Sequence, residues 1–549
     1  MRISLNLSAV LFVIASSNAL AQITTSQYDN ARTGANLNET VLNPRSVNPR
    51  QFGRVFRFPV DGDVYAQPLY LRSVDIPGKD RHDVVFIATE HDSVYAFDAN
   101  GQPLDPLWRV SFTNGGAGVT AIPQADIGCP FITPEIGITA TPVIDAATGT
   151  LYVLARTREI SAAGPRYFQR LHALDVATGK ERTGSPALIR ASVRSKSSGF
   201  LGLFEGDLPF NAYKENPRSS LLLVNGIIFL TWASSCDFGP YHGWVLAYDA
   251  RTLRQTGVFN TSPDSSESGI WAADTGPAAD AEDNVYLATG NGRFDAASGG
   301  RDYGDSVLKL RAGGDGLALR DYFTPFNQAQ LNSSDADLGS GGVLVLPNQS
   351  GAHPRLMVVA GKEGKVYILD RDRLGKFHSG SDAQAVATVS LAGGVFGAPA
   401  YWNGKLYFLA SGDMLKAFGL DRGQLTGAPV SQATGKFSDP GATPEVSANG
   451  LRDGIVWAIE SRGWRGGDRP ATLHAWDASD LGRELYTSNQ NFSRDAAGTA
   501  LRFTIPSIAD GHVYVGAKGE VDVYGPIASP EKPRRGGKRH RAKRTLLLQ

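Results

Sequence analysis

The sequence predicts an all-β fold, an eight-bladed β-propeller of four-stranded antiparallel blades. Residues 141–181 show the repeating unit: apolar runs at 141–144, 151–155 and 171–175 are separated by turn residues. Short apolar runs bounded by turns are typical of antiparallel strands. The unit recurs eight times at intervals of about 60 residues, a spacing that suits a propeller blade with its loops. The 62 glycines fit a chain that turns this often.

Each unit supplies its strands in the same order. The first strands are predicted at 67–70, 141–144, 220–224, 276–279, 342–346, 398–401, 443–446 and 505–508. The second strands are predicted at 84–88, 151–155, 227–231, 285–289, 356–360, 406–410, 455–459 and 513–517. The third strands are predicted at 94–98, 171–175, 245–249, 307–310, 366–370, 415–418, 473–477 and 521–524. A fourth strand is visible in several units, as at 107–110 and 321–323.

The last unit ends near Tyr524 without a fourth strand of its own. A run at 54–58, near the N-terminus, can supply that strand, and we expect it to close the ring. A solenoid would have shorter repeats and parallel strands, and a sandwich does not account for eight copies.

The chain is predicted to have three parts: a signal peptide at 1–21, the propeller at 22–527, and a basic disordered tail at 528–549. Arg2 precedes an apolar stretch at 10–15, and Ala19-Leu20-Ala21 has the small-residue pattern of a cleavage site. The alternative is a buried N-terminal helix. No later run is long enough to span a membrane. We therefore expect an exported protein, periplasmic or extracellular, without a transmembrane segment after cleavage.

The formal net charge of zero hides an asymmetry, because the tail holds eight basic residues and one acid, Glu531. This composition predicts disorder and attraction to an anionic envelope surface. A merely solvated tail is the alternative. We expect no nucleic-acid partner for an exported protein.

The ends of the third strands carry a recurring motif. His172-Ala173-Leu174-Asp175-Val176-Ala177-Thr178-Gly179 shows it in full, and Tyr95-Ala96-Phe97-Asp98 and Ala475-Trp476-Asp477 show it in part. This motif resembles the pyrroloquinoline-quinone (PQQ) repeat of bacterial quinoprotein-like propellers, over about residues 50–527. The chain, including residues 30–36 and 90–93, also looks like a group of secreted bacterial proteins of PQQ-like type. The resemblance implies the propeller fold, and it makes PQQ and calcium the cofactors to test.

The long connections of the predicted propeller fall on one face. Links between blades and links between second and third strands open on the same side, because consecutive strands are antiparallel. The long ones are 113–137, 191–218, 327–339 and 488–500 between blades, and 157–170, 234–243, 290–304 and 461–472 within blades. Links on the opposite face are mostly tight. Neutral insertions would scatter over both faces, so we expect the loop-rich face to be functional.

The two cysteines of the chain, Cys129 and Cys236, lie in long links of neighbouring blades on that face. In an exported protein this placement favours a disulfide between them, and two unpaired or buried thiols are the alternative.

Polar and aromatic residues at strand ends can face the mouth of the central channel on the loop-rich face. A quinone there would need cations or amides for its carboxylates, a stacking aromatic, and usually a calcium ion. A structural role, in ion pairs or plugs across the channel, is the alternative for each residue. The candidates for ligand binding are Gln67, Glu90, His91, Arg156, Arg218, Trp271, Asp274, Asn291, Lys362, Glu363 and Lys518.

Asp335 and Asp337 are candidate metal ligands, since two carboxylates two residues apart can converge in a tight loop. A full EF-hand spacing is missing, so a solvated turn is the alternative. Quinoprotein alcohol dehydrogenases typically carry two adjacent cysteines that form a ring under the quinone. This chain departs from them, because Cys129 and Cys236 are not adjacent in sequence. It also has no haem-binding Cys-x-x-Cys-His motif. Catalytic residues are not identified by any motif.

Two functions follow from this reading. The first is an exported binding or scaffolding propeller, which uses its loop-rich face and channel mouth to bind a protein, a glycan or a small ligand. The second is a PQQ-dependent dehydrogenase acting on an alcohol or a sugar. The missing adjacent cysteines favour the first, and the sequence leaves the question of enzymatic activity open.

Overall fold

The structure, a computed structural model, describes residues 22–197, 205–314, 316–463 and 468–527, apart from the side chain of Asp274. The predicted signal peptide and basic tail lie outside these residues. Within the described ranges, no helix is both long enough and apolar enough to cross a membrane.

The described residues include eight sheets that each contain four antiparallel blade strands, numbered here as blades 1 to 8 in chain order. Blade 1 consists of Leu69–Asp75, Arg81–Ala88, Ser93–Asp98 and Trp108–Ser111, and blade 2 of Val143–Asp145, Thr150–Ser161, Gly164–Asp175 and Ala187–Leu188. Blade 3 consists of Leu222–Val224, Ile227–Thr231, Trp244–Asp249 and Gln255–Asn260, and blade 4 of Ala278–Ala279, Val285–Ala288, Val307–Gly313 and Gly316–Thr324. Blade 5 consists of Val343–Val345, Leu356–Ala360, Lys365–Asp370 and Ala387–Ser390, and blade 6 of Ala400–Trp402, Lys405–Phe408, Met414–Asp421 and Ser431–Lys436. Blade 7 consists of Glu445–Asn449, Arg452–Glu460, Thr472–Asp477 and Asp480–Thr487, and blade 8 of Ser507–Ala509, His512–Ala517, Glu520–Pro526 and Phe52–Pro59.

The ring is closed by the N-terminal strand, as predicted. Phe52–Pro59 pairs antiparallel with Glu520–Pro526, the third strand of blade 8, with Phe58 opposite Val521. The fourth strand of the last blade therefore comes from the other end of the chain. The β-propeller fold predicted from the repeats is confirmed.

Blade 2 differs from the prediction at residues 157–170, where a loop was predicted. Its second and third strands continue there as a long hairpin, with Ser161 opposite Gly164. The remaining elements are short and lie around the blades. The other strands are Ala35–Asn36, Val119–Pro123, Glu135–Ile136, Ser192–Ser195, Gly206–Pro209, Glu215–Asn216, Ala233–Ser234, Lys376–Phe377 and Gln424–Leu425. The helices are Gln124–Ile127, Gln328–Ser333 and Phe492–Asp495, with 3-10 turns at Gly115–Ala117, Ala272–Asp274, Ala296–Ser298 and Leu338–Ser340.

The hydrophobic core lies between the blades. Most clusters of buried side chains join two neighbouring sheets, as where Trp232 and Trp244 of the blade 3 region pack with Tyr152 and Leu171 of blade 2. Both faces of a blade are therefore covered, and the second strand of blade 1, Arg81–Ala88, ends in consecutive buried apolar residues. Such runs without polar alternation are what a sheet buried on both faces requires.

Residues 23–39, called the belt below, run around the inside of the ring. They form hydrogen bonds, in chain order, with the first strand of every blade. From blade 1 to blade 8, the bonded pairs are Ile23 with Tyr70, Thr24 with Ile144, Asn30 with Leu223, Asn30 with Ala279, Ala31 with Val345, Thr33 with Tyr401, Gly34 with Val446 and Asn36 with Ile508. Gln27, Arg32 and Glu39 of the belt are fully buried. The belt thus fills the channel at the level of these strands and leaves a mouth above it.

Candidate functional site

A pocket of about 350 Å³ opens on the side of the ring from which the first strands start. Its walls come from the segments just before those strands and from two links between second and third strands, in blades 3 and 5. The lining residues are Cys129, Phe131, Ile132, Ile136, Asn216, Arg218, Ser234, Ser235, Cys236, Asp237, Trp271, Ala273, Asp335, Asp337, Ser340, Lys362, Phe396, Asp439, Arg502 and Phe503. Its size lies within the range of small-molecule sites.

Several of the long links predicted to form a functional face meet at this pocket. The links 113–137, 191–218, 234–243 and 327–339 all contribute to its lining. The predicted disulfide is confirmed: Cys129 and Cys236 are bonded, with their Cα atoms 5.6 Å apart, and both line the pocket. The disulfide therefore ties together two loops of the pocket wall.

Arg218 is a cation of the pocket that has no acidic partner among the described residues. Its side chain is 8% exposed, and its guanidinium lies 4.8 Å from the centre of the Phe503 ring. Among the described residues it forms no ion pair and no side-chain hydrogen bond. Its N–H donors are not among the buried unpartnered atoms of the described structure, so they are open to the pocket, where an anion can accept charge-assisted hydrogen bonds from them. This geometry suits a carboxylate or phosphate in the pocket.

Aromatic rings form the wall beside Arg218. Phe396 and Phe503 stack with centroids 6.0 Å apart, and Arg502 lies 4.3 Å from the centre of the Phe503 ring. Phe503 has a φ of 72°, a left-handed conformation that is rare for a bulky residue. The surrounding contacts therefore hold this ring in place against its backbone preference.

Trp271 lies on another part of the lining. Its ring packs edge-on against Tyr241 at 6.0 Å, and the Tyr241 hydroxyl donates to Asp237. Its Nε1–H is buried and finds no acceptor within the described structure. A ligand acceptor could satisfy this donor.

Lys362, Asp335, Asp337 and Asn291, which were predicted as separate ligand-binding and metal candidates, form one compact charged cluster. Lys362 Nζ lies 2.7 Å from Asp335 Oδ1 and 2.6 Å from Asp337 Oδ2. Asn291 donates to both carboxylates, from Nδ2 to Asp335 and from its backbone N–H to Asp337, each at 2.7 Å. Burial tends to lower the pKa of Lys362, but the attraction of Asp337 and Asp335 outweighs it and raises that pKa.

This cluster does not fit a calcium ion. The Lys362 ammonium lies between the two carboxylates, where a cation would bind, whereas calcium needs six to eight oxygen ligands. No group of three or more histidine, cysteine, aspartate or glutamate side chains suited to a metal occurs in the described ranges. A flat anionic group, such as a quinone carboxylate, fits Arg218 and the neighbouring rings better than a metal fits the acids.

Arg156 and Glu90 lie beneath the pocket wall. Arg156 is fully buried and donates from Nη1 to Asn216 Oδ1 at 2.6 Å, and Asn216 lines the pocket. Glu90 accepts hydrogen bonds from the Gly137 N–H and the Thr139 hydroxyl. Burial raises the pKa of Glu90 to about 7, and Arg156 lowers it only slightly. These two predicted residues support the pocket without lining it.

The other predicted residues lie apart from the pocket. Gln67 is buried, where it accepts a hydrogen bond from the belt residue Gln27. His91 pairs with Glu135, Glu363 accepts from Asn327, and Lys518 lies 3.3 Å from Asp468. The side chain of Asp274 is outside the described structure.

Sequence reasoning missed Phe396, Arg502 and Phe503. All three directly precede a first strand, at Ala400–Trp402 or Ser507–Ala509. Since strand starts face the mouth, the residues just before each first run were the signal that could have identified them.

Comparison with solved structures places this architecture among known propellers. A quinohemoprotein alcohol dehydrogenase from Comamonas testosteroni aligns with a TM-score of 0.59 and 15% identity, over 93% of this chain and 82% of that one. The chain has the quinoprotein-type propeller fold. A europium-containing methanol dehydrogenase shares this propeller with a TM-score of 0.57 and 14% identity, over 92% of this chain and 98% of that one.

A third quinoprotein-type propeller, the quinohemoprotein alcohol dehydrogenase of Pseudomonas putida HK5, aligns with a TM-score of 0.56 and 13% identity, over 96% of this chain and 83% of that one. No protein-family model matches the sequence. No curated protein matches it either. At such low identities the likeness concerns the quinoprotein-type fold, and the function must be argued from the pocket.

Proposed function

We propose that this protein is an exported binding protein whose channel-mouth pocket holds a small, flat, anionic ligand. Arg218 carries the proposal, because it is nearly buried, lines the pocket and has no acidic partner among the described residues. A guanidinium held this way is preorganised for a carboxylate or phosphate. The stacked rings of Phe396 and Phe503 add an apolar wall for a planar body.

The closed bottom of the ring supports a small ligand in the pocket. The belt bonds to the first strand of every blade beneath the mouth, which favours entry of a ligand from the loop-rich face. The Cys129–Cys236 disulfide is consistent with export, since disulfides persist in oxidising compartments. A protein or glycan partner for the loop-rich face, and an anionic surface for the basic tail, remain predictions.

A second function, a quinoprotein-type oxidoreductase acting on an alcohol or sugar, is favoured by one arrangement. Trp271 and the disulfide line the same pocket as the Lys362–Asp335 pair. A bound quinone would supply the electron-accepting group. Arg218 would hold a quinone carboxylate, and the carboxylate of Asp335, which is 70% exposed, would be available to a substrate hydroxyl. The poor fit to calcium and the separated cysteines place this function second.

Titration of the full chain separates these possibilities. PQQ serves as a redox-active flat anion, and pyridine-2,4-dicarboxylate as one without redox chemistry. If the pocket binds flat anions, both compounds bind, and Arg218→Gln weakens both by about tenfold or more. Arg355→Gln, on an exposed arginine of blade 5 paired with Asp372, is the matched control.

A dye-linked dehydrogenase assay on the PQQ-loaded protein then tests the second function. Turnover with alcohols or sugars would make the protein an oxidoreductase. Stoichiometric binding without turnover supports a binding protein. Failure of both anions to bind would contradict both functions at this pocket.

A further inference from the structure

A second cavity, of about 780 Å³, lies outside the channel mouth between blades 2 and 3. Its walls come from the long hairpin of blade 2, the link that leads to blade 3, and the loop before Trp244–Asp249. Glu215 lines this cavity, and its neighbour Asn216 lines the channel-mouth pocket. The two sites are therefore adjacent but separate.

His242 presents an unused acceptor to this cavity. The side chain is 6% exposed, and its Nδ1 lies 3.0 Å from the carbonyl oxygen of Ser262. A carbonyl can only accept, so Nδ1 carries the proton and Nε2 keeps its lone pair in the neutral ring. Burial lowers the pKa of His242, which keeps the ring neutral near pH 7. Nε2 has no partner among the described residues.

The rest of the lining combines apolar faces with polar groups. Phe168 and Phe210 are half-buried, and Glu215 is 1% exposed, with Oε2 accepting from the backbone N–H of His242 at 3.2 Å. Exposed Arg166 and Arg190 stand at the rim without acidic partners in the described part of the chain. Arg166 also lies 5.7 Å from the centre of the Phe168 ring.

We propose that this cavity binds a saccharide that carries a carboxylate, such as a uronic acid residue. A sugar hydroxyl donates to His242 Nε2, the apolar face of the sugar ring packs on Phe210, and the carboxylate pairs with Arg166 and Arg190. A purely apolar ligand would displace water from His242 Nε2 without replacing the hydrogen bond that water makes there. A carboxylate on the ligand would add charge-assisted hydrogen bonds to these exposed arginines, which water otherwise solvates.

Calorimetric titration with a matched pair of disaccharides tests the proposal. Cellobiouronic acid and cellobiose differ only by a carboxylate in place of a hydroxymethyl group. The full chain is expected to bind cellobiouronic acid at least about tenfold more tightly than cellobiose. Equal affinity for the two, or no binding of either, would overturn the proposal.

Variants locate the binding site. His242→Phe keeps the ring and removes the acceptor, so affinity falls by about tenfold or more. Arg166→Gln weakens the acid by about threefold to tenfold and leaves cellobiose unaffected. The controls are His378→Phe and Arg50→Gln, both on exposed side chains away from the cavity. Equal losses in the variants and their controls would overturn the assignment.

Histidine-selective ¹⁵N NMR of the wild-type chain gives a readout that does not depend on the folding of a variant. The Nε2 resonance of His242 is expected to shift on addition of cellobiouronic acid. An unchanged resonance at saturating acid would place the saccharide elsewhere and overturn the proposal.

Discussion

Arg218 stacks on Phe503 across the mouth of the ring, with 4.8 Å between the guanidinium carbon and the ring centre. Arg218 precedes the first strand of blade 3, and Phe503 precedes the first strand of blade 8. Stacking on a ring face uses the charge of a guanidinium and none of its N–H donors. The contact therefore holds Arg218 in place while its donors stay available to a ligand.

Replacement of Arg218 should separate charge from geometry. Arg218→Lys keeps the charge but loses the planar fork, so the affinity for pyridine-2,4-dicarboxylate should fall by about tenfold. Arg218→Gln loses both the charge and the planar guanidinium, so the affinity for the dicarboxylate should fall by about a hundredfold. Calorimetric titration measures both. Equal affinity in wild type and Arg218→Gln would show that the anion binds elsewhere.

Replacement of Lys362 should create a calcium site that the wild-type chain lacks. Lys362→Met leaves Asp335 and Asp337 without their shared cation, and Asn291 stays beside them. Millimolar calcium should then raise the melting temperature of Lys362→Met but not that of the wild type. Lys518→Met, which removes an exposed pair with Asp468, is the control. Stabilisation of the wild type by calcium would refute the account of this cluster.

The pH dependence of stability should report Glu90. Its folded-state pKa is raised from 4.5 to about 7, so the folded chain holds the proton more tightly than the unfolded chain. The contribution of protonated Glu90 to the free energy of unfolding is therefore complete below about pH 4.5. It is lost as the pH rises to 7, at about 1.4 kcal/mol for each pH unit. Glu90→Gln mimics the protonated form.

Urea denaturation at several pH values measures this effect. Wild type and Glu90→Gln should differ least at pH 4.5, and the variant should gain relative stability up to pH 7, by at most about 3 kcal/mol. A constant difference over this range would mean that Glu90 is ionised throughout.

Arg32 should be the residue of the belt on which stability depends most. Its guanidinium is fully buried and donates to Thr25 Oγ1 and to the carbonyls of Ser26, Pro277 and Leu221. Arg32→Ala leaves these acceptors unsatisfied, so the free energy of unfolding should fall by about 3 kcal/mol or more. Arg57→Ala, which removes a half-exposed pair with Glu520, should cost about 1 kcal/mol or less. Similar losses in the two variants would contradict this role of the belt.

The repeats made the blades predictable, because each strand buried on both faces leaves a continuous apolar run between turns. The closing strand Phe52–Pro59 followed from the missing fourth strand of the last unit. The disulfide followed from the placement of Cys129 and Cys236 on one face of a chain that was predicted to be exported. In each case the signal was local or topological.

The belt and much of the pocket could not be predicted in this way. The belt bonds mainly through backbone atoms, as between Ala31 and Val345, and such bonds leave no side-chain pattern. Gln67 and Arg218 both precede a first strand, yet one bonds the belt and the other faces the pocket. Whether such a residue contacts the belt or the pocket depends on which blades lie opposite each other across the ring. The sequence of a single repeat does not contain this information.

A crystal structure of the protein soaked with pyridine-2,4-dicarboxylate shows whether Arg218 binds an anion in the channel-mouth pocket. We expect a carboxylate within about 3.2 Å of an Arg218 guanidinium nitrogen, with the pyridine ring against Phe503 or Phe396. A dicarboxylate bound only at other sites, with Arg218 unchanged and the pocket free of it, would contradict the account.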